Sequence, residues 1–455
     1  MALDKRGGQQ GDDDRRASVL AEPARLELVD LRLLEAFVSE MPSPGAQRAP
    51  RLLEHCVVLR EIAQRNGQRP RLIQAEAAAE RAALSVLRGR DRPPKDQDSV
   101  RIFAAARLQQ ALCALERSRL FADPDGLDDA RVHLAAAERA LDSALGQGRA
   151  QLSGPNLLRA RLVAADALAS HDPAEMARSV AAFDLTISAL NGRLPASGAG
   201  LHDLALARCE RAELVISLGL RLKDAALLHD VAQDLEALCF RLDPDYLPQS
   251  LARAQVLRGT ALRAYGDCTG DAQVMKVAAS TFRAALDATP VGHSPLDRAR
   301  AAHGLGLALQ GLAEAASDVR LYRPALFAMD RALVELPRHG LPLRAAVAHD
   351  RAACLARRAE RSGDMGALAE AEGAFKAELI EMGGAGDPIA WAVTQVALAR
   401  IYEVRADMTD TPGERSKAAY ALTEALQVFM DRGLKSLSDV AQTALERVRG
   451  RRIPS

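Results

Sequence analysis

The sequence predicts an all-α protein built from repeated helical hairpins, and three columns of residues carry that prediction. Pro248, Pro295, Pro342 and Pro388 stand 47, 47 and 46 residues apart. A second proline set, Pro244, Pro290 and Pro337, follows at spacings of 46 and 47. The third column is acidic: Asp224, Asp271, Asp318 and Asp364, at 47, 47 and 46. Two residue types keeping one period in three columns mark a repeat array. A chain of 455 residues is in any case too long for one globular core.

Each element of the unit has a local reason. In SPLDRARAAHGLGLALQGLAEAASD (294–318) and RPALFAMDRALVELP (323–337) apolar residues recur three and four apart, the helical period. Pro248, Pro295, Pro342 and Pro388 open the first helix, where a proline loses no hydrogen bond and arrives with helical φ. Ser294 and Asp387, one residue earlier, are N-caps. The aspartate column opens the second helix, satisfying exposed N–H groups at the positive end of its dipole. Pro290 and Pro337 close that helix. Apolar residues make up 48% and aromatics 3%, dominated by Ala, Leu and Arg, a palette that favours helix over strand.

The second helices carry Ala278, Phe282, Ala285 and Pro290, then Ala325, Met329, Ala332 and Pro337, at offsets of four, seven and twelve. Nineteen residues before each alanine stand Gly259 and Gly306. This pattern resembles the tetratricopeptide repeat (TPR), and the segment DPIAWAVTQVALARIYE (387–403) resembles a bacterial subclass with extended, ~47-residue units. Ala399 stands where that subclass prefers glycine. The resemblance implies a right-handed α-solenoid of about eight TPR-like helical hairpins whose first helices line a concave face. It also implies that Trp391, the sole tryptophan, is a structural residue packed against the end of the preceding hairpin. The matching positions hold Leu251, Arg298 and Arg344.

Extending the small anchor outward gives Ala130, Ser179, Val231, Ala278, Ala325, Ala371 and Ala418, with a further hairpin at 49–89 around Ala75, Ala79 and Ala82. The expected organisation is a disordered N-terminal tail (1–20), divergent helical repeats (21–200), regular repeats (201–430), and a capping helix with a basic tail (431–455). Breaks fall at RGRDRPPKDQDS (88–99) and NGRLPASGAG (191–200).

No catalytic residues, cofactor or metal site are expected. The glycines of HGLGLALQG lie inside a helical pattern, without the strand that a phosphate loop requires. GGAGDP (383–388) reads as an inter-repeat turn, with no following lysine. Cys56, Cys113, Cys209, Cys239, Cys268 and Cys354 include no paired spacing, which suits packing residues in a reducing compartment. The nine histidines form no metal motif, and the adjacent Glu54, His55 and Cys56 cannot face one ion. Sixty basic residues balance sixty acidic ones and only seven are lysines, so neither nucleic acid nor an anionic membrane is an expected partner. The N-terminus lacks a signal peptide's apolar core and no ~18-residue apolar run exists, so a cytoplasmic location is expected.

On the implied concave face, the repeat register places Val256, Thr260 and Arg263 around Gly259, His303 and Leu307 around Gly306, His349 and Arg357 around Ala352, and Arg400 and Glu403 around Ala399. Arg263, His303, His349, Arg357 and Arg400 form a candidate patch for an acidic or C-terminal peptide. The expected function is a non-enzymatic interaction or scaffold protein binding a peptide or protein partner there. The alternative is a peptide- or ligand-sensing regulator that releases a partner protein.

Overall fold

The computed structural model describes residues 28–40, 48–87, 96–145, 153–170, 172–192, 199–338, 341–382, 388–409, 411–432 and 435–450. The expected tail at 1–20, most of the two breaks, the turn at 383–387 with Asp387, and the basic residues 451–455 lie outside the described residues.

Among the described residues every regular element is a helix. A lone helix α1 (Leu28–Glu40) precedes eight hairpins. These are α2 (Arg48–Asn66) with α3 (Arg69–Leu87), α4 (Gln97–Phe121) with α5 (Gly126–Leu145), and α6 (Ser153–Ser170) with α7 (Pro173–Asn191). Next come α8 (Ala199–Leu222) with α9 (Ala225–Cys239), α10 (Pro248–Thr269) with α11 (Ala272–Ala288), and α12 (Pro295–Ala315) with α13 (Tyr322–Glu335). Then follow α14 (Pro342–Ser362) with α15 (Met365–Met382), α16 (Pro388–Thr409) with α17 (Pro412–Asp431), and the final helix α18 (Lys435–Gly450). The chain is an all-α, TPR-like array of hairpins.

It divides into two compact units within the α12–α13 hairpin. One comprises Met1–Gly304 with Val334–Pro342, and the other Leu305–Leu333 with Leu343–Ser455. In the N-terminal unit each helix from α1 to α10 packs on the next, and the first helices α2, α4, α6, α8 and α10 also pack on one another. In the C-terminal unit α15, α16, α17 and α18 pack in chain order.

The aspartate column caps second helices. Asp224 accepts from the Leu227 N–H at 3.0 Å, Asp271 from Gln273 at 2.7 Å, and Asp364 from Ala367 at 3.1 Å. Asp318 accepts from Arg320 at 3.0 Å and caps a 3-10 turn, Val319–Leu321, that leads into α13. Asp172 does the same for Ala174 at 3.0 Å, extending the column into the divergent region. The residue before each cap in four units is left-handed: Lys223 (φ 53°), Gly270 (70°), Ser317 (52°) and Gly363 (69°). One such residue followed by an aspartate reverses the chain in a two-residue turn after α8, α10 and α14.

The second-helix anchors Ala278, Ala285, Ala325, Ala332, Ala371 and Ala418 are fully buried, as are Phe282, Met329 and Phe375 at the fourth position after three of them. The glycines opposite have a steric reason. A Cβ on Gly259 would stand 2.8 Å from the Phe282 ring, and one on Gly306 would stand 2.6 Å from Met329. α11 and α13 end two residues before Pro290 and Pro337.

Ser294 stands at the N-cap of α12, its carbonyl accepting from the Arg298 N–H at 3.0 Å, and its hydroxyl donates to the buried Asp297 carboxylate at 2.6 Å. Trp391 packs into an apolar cluster around Ala392, Ala425, Phe429 and Ala441, made by its own hairpin and α18. The matching arginines serve the preceding second helix instead. Arg298 donates to the carbonyls of Leu286 (3.1 Å) and Thr289, and Arg344 to that of Leu333 at 2.7 Å. A cation satisfying the last carbonyls of a helix also meets the negative end of its dipole.

Candidate functional site

The five residues of the candidate patch fall into both units. In the N-terminal unit, Arg263 is bound to its own helix by Asp267 at 2.7 Å, and His303 is half-buried on α12. In the C-terminal unit, His349, Arg357 and Arg400 come together around one pocket of about 790 Å³.

Most of that pocket is made by first helices. α14 contributes His349, Ala353 and Ala356, and α16 contributes Val393, Val396 and Ala397. α18 supplies a third wall through Val440 and Ala444, while Leu368, Phe375 and Leu422 reach in from second helices. Alanines and valines on the facing helices leave the space open, and the walls are predominantly apolar.

The rim is an alternating ion ladder. Arg357 pairs with Glu360 at 3.3 Å, Glu360 with Arg400, Arg400 with Glu403 at 2.8 Å, and Glu403 with Arg447 of α18 at 2.6 Å and 2.9 Å. Burial would raise the Glu403 carboxyl, but the Arg447 and Arg400 guanidiniums outweigh it and hold it below the ordinary carboxylate value. Arg357 and Arg400, picked from sequence, are therefore present at the pocket but already partnered, and sequence reasoning missed Arg447. Pairing between neighbouring first helices cannot be read from one helix at a time.

Behind His349 lies one departure from the repeat. Glu378 occupies the second-helix slot filled by Ala137, Ala285, Ala332 and Ala425 in other units. His349 Nδ1 stands 3.4 Å from its carboxylate, and the Thr394 hydroxyl stands 3.1 Å from it. The imidazole also packs on Phe375, ring centres 5.2 Å apart. The Glu378 hydrogen bond raises the His349 pKa above its ordinary value despite burial.

The first-helix face of the N-terminal unit is different. Arg161 on α6 donates to Glu116 on α4 at 2.9 Å and to Glu210 on α8 at 2.8 Å, all buried. Arg119 on α4 reaches past α6 to Glu210 and Glu213, both at 2.5 Å. The Gln249 amide on α10, turned to suit both partners, donates to Glu61 on α2 at 3.1 Å and accepts from Arg65 at 3.1 Å and 3.2 Å. Arg253 holds Asp297 through two contacts of 3.2 Å. This face is filled by its own charges. A cleft of about 250 Å³ beside it is lined by Arg119, Arg161, Arg253 and Arg300 against Glu116, Glu210, Glu213 and Asp297. Four cations meet four anions there, so it offers no net field to a ligand.

Asp297 gives an acid-stability prediction. Burial would raise its carboxyl, but Arg253 and Arg300, with hydrogen bonds from Arg253 and Ser294, bring it from 3.8 to about 2. A depressed folded-state value contributes stability that is full above 3.8 and is lost as pH falls through the folded value. The loss expected between pH ~4 and ~2 is on the order of 2 kcal/mol. Urea unfolding across that range checks it: Asp297→Asn should flatten the acid slope, and an unchanged slope would refute the assignment.

The buried thiols of Cys56 and Cys113 lie beside each other between α2 and α4, a proximity that sequence spacing did not reveal. Burial pushes Cys209 and Cys354 up to about 12. Among the described residues no cluster of three or more His, Cys, Asp or Glu is placed to hold a metal, and no helix is long and apolar enough to cross a membrane.

No family model matches the chain, and no curated protein matches it. Among solved structures it is similar to a Rap protein complexed with competence and sporulation factor, at 11% identity over 89% of this chain and 98% of that one, with a TM-score of 0.49. It is similar to the apo form of RapI at 10% identity over 88% and 97%, TM-score 0.46. It is also similar to aspartyl phosphate phosphatase F from Bacillus subtilis at 12% identity over 90% and 96%, TM-score 0.39.

Proposed function

We propose that the chain is a non-enzymatic interaction protein that binds a peptide or protein partner on the first-helix face of its C-terminal unit. One observation carries this: the pocket of about 790 Å³, apolar in its walls and rimmed by paired charges, on the face where the repeat register placed His349, Arg357 and Arg400. Its size and lining are those of a binding site, an apolar concavity with a few placed polar groups. The first-helix face of the N-terminal unit is closed by its own ion pairs, which favours the C-terminal unit as the site. The regulator reading draws on the same pocket, since a ligand filling it would compete with a partner for the surface.

The test compares partners captured by the full-length protein with those captured by Ala397→Phe, which fills the pocket, and by Arg263→Ala/His303→Ala. A partner at this site should be lost with Ala397→Phe and retained with the double variant, with melting curves showing both folded. If every captured protein survives Ala397→Phe, the site is elsewhere.

A further inference from the structure

Resting on that reading of the pocket, we infer that its occupant is an uncharged, apolar peptide segment, and that His349 reads one backbone carbonyl of it. This departs from the acidic peptide that the sequence suggested, and the reason is the charge at the pocket. Arg357, Arg400 and Arg447 line it against Glu360, Glu403 and Asp439, and the charge of protonated His349 is balanced by Glu378 behind it. An acidic side chain entering this space would leave water without gaining an unpaired cation, and a buried charge without a new partner is costly. An uncharged apolar group meets complementary walls.

The rim favours a peptide over a plain hydrocarbon. A guanidinium has five N–H donors, and the ladder engages only some of them. The side chains of Arg357, Arg400 and Arg447 are 50%, 39% and 42% exposed. Their remaining donors suit neutral carbonyl oxygens, which a peptide backbone supplies at regular intervals.

His349 is the specific reader because of what stands behind it. A carboxylate in a slot that alanine fills elsewhere is destabilising unless paired. Glu378 is paired with His349 and held by Thr394. Hairpin packing does not require this trio, since Ala285 and Ala332 serve the same slot without it. Nδ1 faces Glu378, which leaves Nε2 as the edge turned away from it, on a residue that lines the pocket. Protonated, Nε2 donates to a carbonyl oxygen; neutral with its proton on Nδ1, it can only accept. The charged groups around the ring are Asp350 on its own helix and Glu378 from α15, both favouring the protonated form. The others lining the pocket are Arg357 and Glu360 from α14, Arg400 and Glu403 from α16, and Asp439 and Arg447 from α18. Glu378 holds the proton on His349 above its ordinary range, so the donor persists toward neutral pH and is lost as pH rises further.

The experiment pans a short random-peptide display library on the full-length protein, with Ala397→Phe as counter-selection. The expected winners are uncharged and apolar. Their affinity should fall about tenfold or more in His349→Ala, the value of a hydrogen bond from a charged donor. Binding should weaken with rising pH, and Glu378→Gln should move that loss to lower pH. His349→Gln, which keeps a donor but does not titrate, should bind with a flat pH profile. Winners rich in Asp or Glu, insensitivity to His349→Ala, or binding that strengthens with pH would each overturn the inference while leaving the pocket as the site. If no sequence distinguishes wild type from Ala397→Phe, the pocket reading itself fails.

Discussion

Arg161→Ala is expected to destabilise the N-terminal unit by about 3–5 kcal/mol, the cost of removing one partner from a buried ionic group. Arg161 is 6% exposed, with Glu116 at 7% and Glu210 at 6%. Its guanidinium joins three first helices, so truncation removes the ion pair of Glu116 and halves the pairing of Glu210. Burial alone would raise the Glu116 carboxyl; the Arg161 and Arg119 charges hold it below its ordinary value. Without Arg161 the acid must take up a proton or draw in water. The matched control is Glu213→Ala at the exposed end of the same chain of charges, where a loss of no more than about 1 kcal/mol is expected. Chemical denaturation of both variants decides the matter. Equal, small losses would mean that the network is solvated and contributes little.

Phe282→Ala should cost a similar ~3–5 kcal/mol, by a different mechanism. The ring is 1% exposed and sits between two glycines of the N-terminal unit. A Cβ would stand 2.8 Å from it on Gly259 and 2.2 Å from it on Gly304. No neighbouring side chain can collapse into the cavity from those glycines, so the truncation should be felt nearly in full. The converse change, Gly304→Ala, forces a methyl into the ring and should cost about 1–3 kcal/mol. Combined with Phe282→Leu, Gly304→Ala should cost less than the sum of the two single changes, because the smaller side chain yields the space. Strict additivity in thermal or urea unfolding would show that Phe282 and Gly304 do not share it.

Much of the fold was legible because a repeat prints the same local physics several times. The aspartate caps, the prolines opening first helices and the small second-helix anchors each depend on a few neighbouring residues. Trp391 shows the limit of this kind of reading. Its place in the first turn of a first helix was legible, but its neighbours were not. It packs with Phe429 and Ala441, and the arginines at its matching positions reach the preceding helix.

The candidate site was half legible for the same reason. The helix register placed His349, Arg357 and Arg400 on one face, and they share a pocket. Nothing in a single helix says that Glu360 and Glu403 would neutralise the arginines, or that Arg447 would arrive from α18 to complete the ladder. Glu378 left a trace, as the one charged residue in a slot otherwise held by alanine in four units, but its meaning depends on His349 opposite. The charge network around Arg161 left no periodic trace, since its members sit at unrelated offsets on α4, α6 and α8.

By itself the sequence determined the helical hairpins, their period and their caps, because those depend on interactions within about one or two turns of chain. Only the tertiary structure decided which first-helix face is filled and which is open. Stacked helices choose their ionic partners across space: Arg161 closes one face, while the small side chains of α14 and α16 leave a pocket in the other.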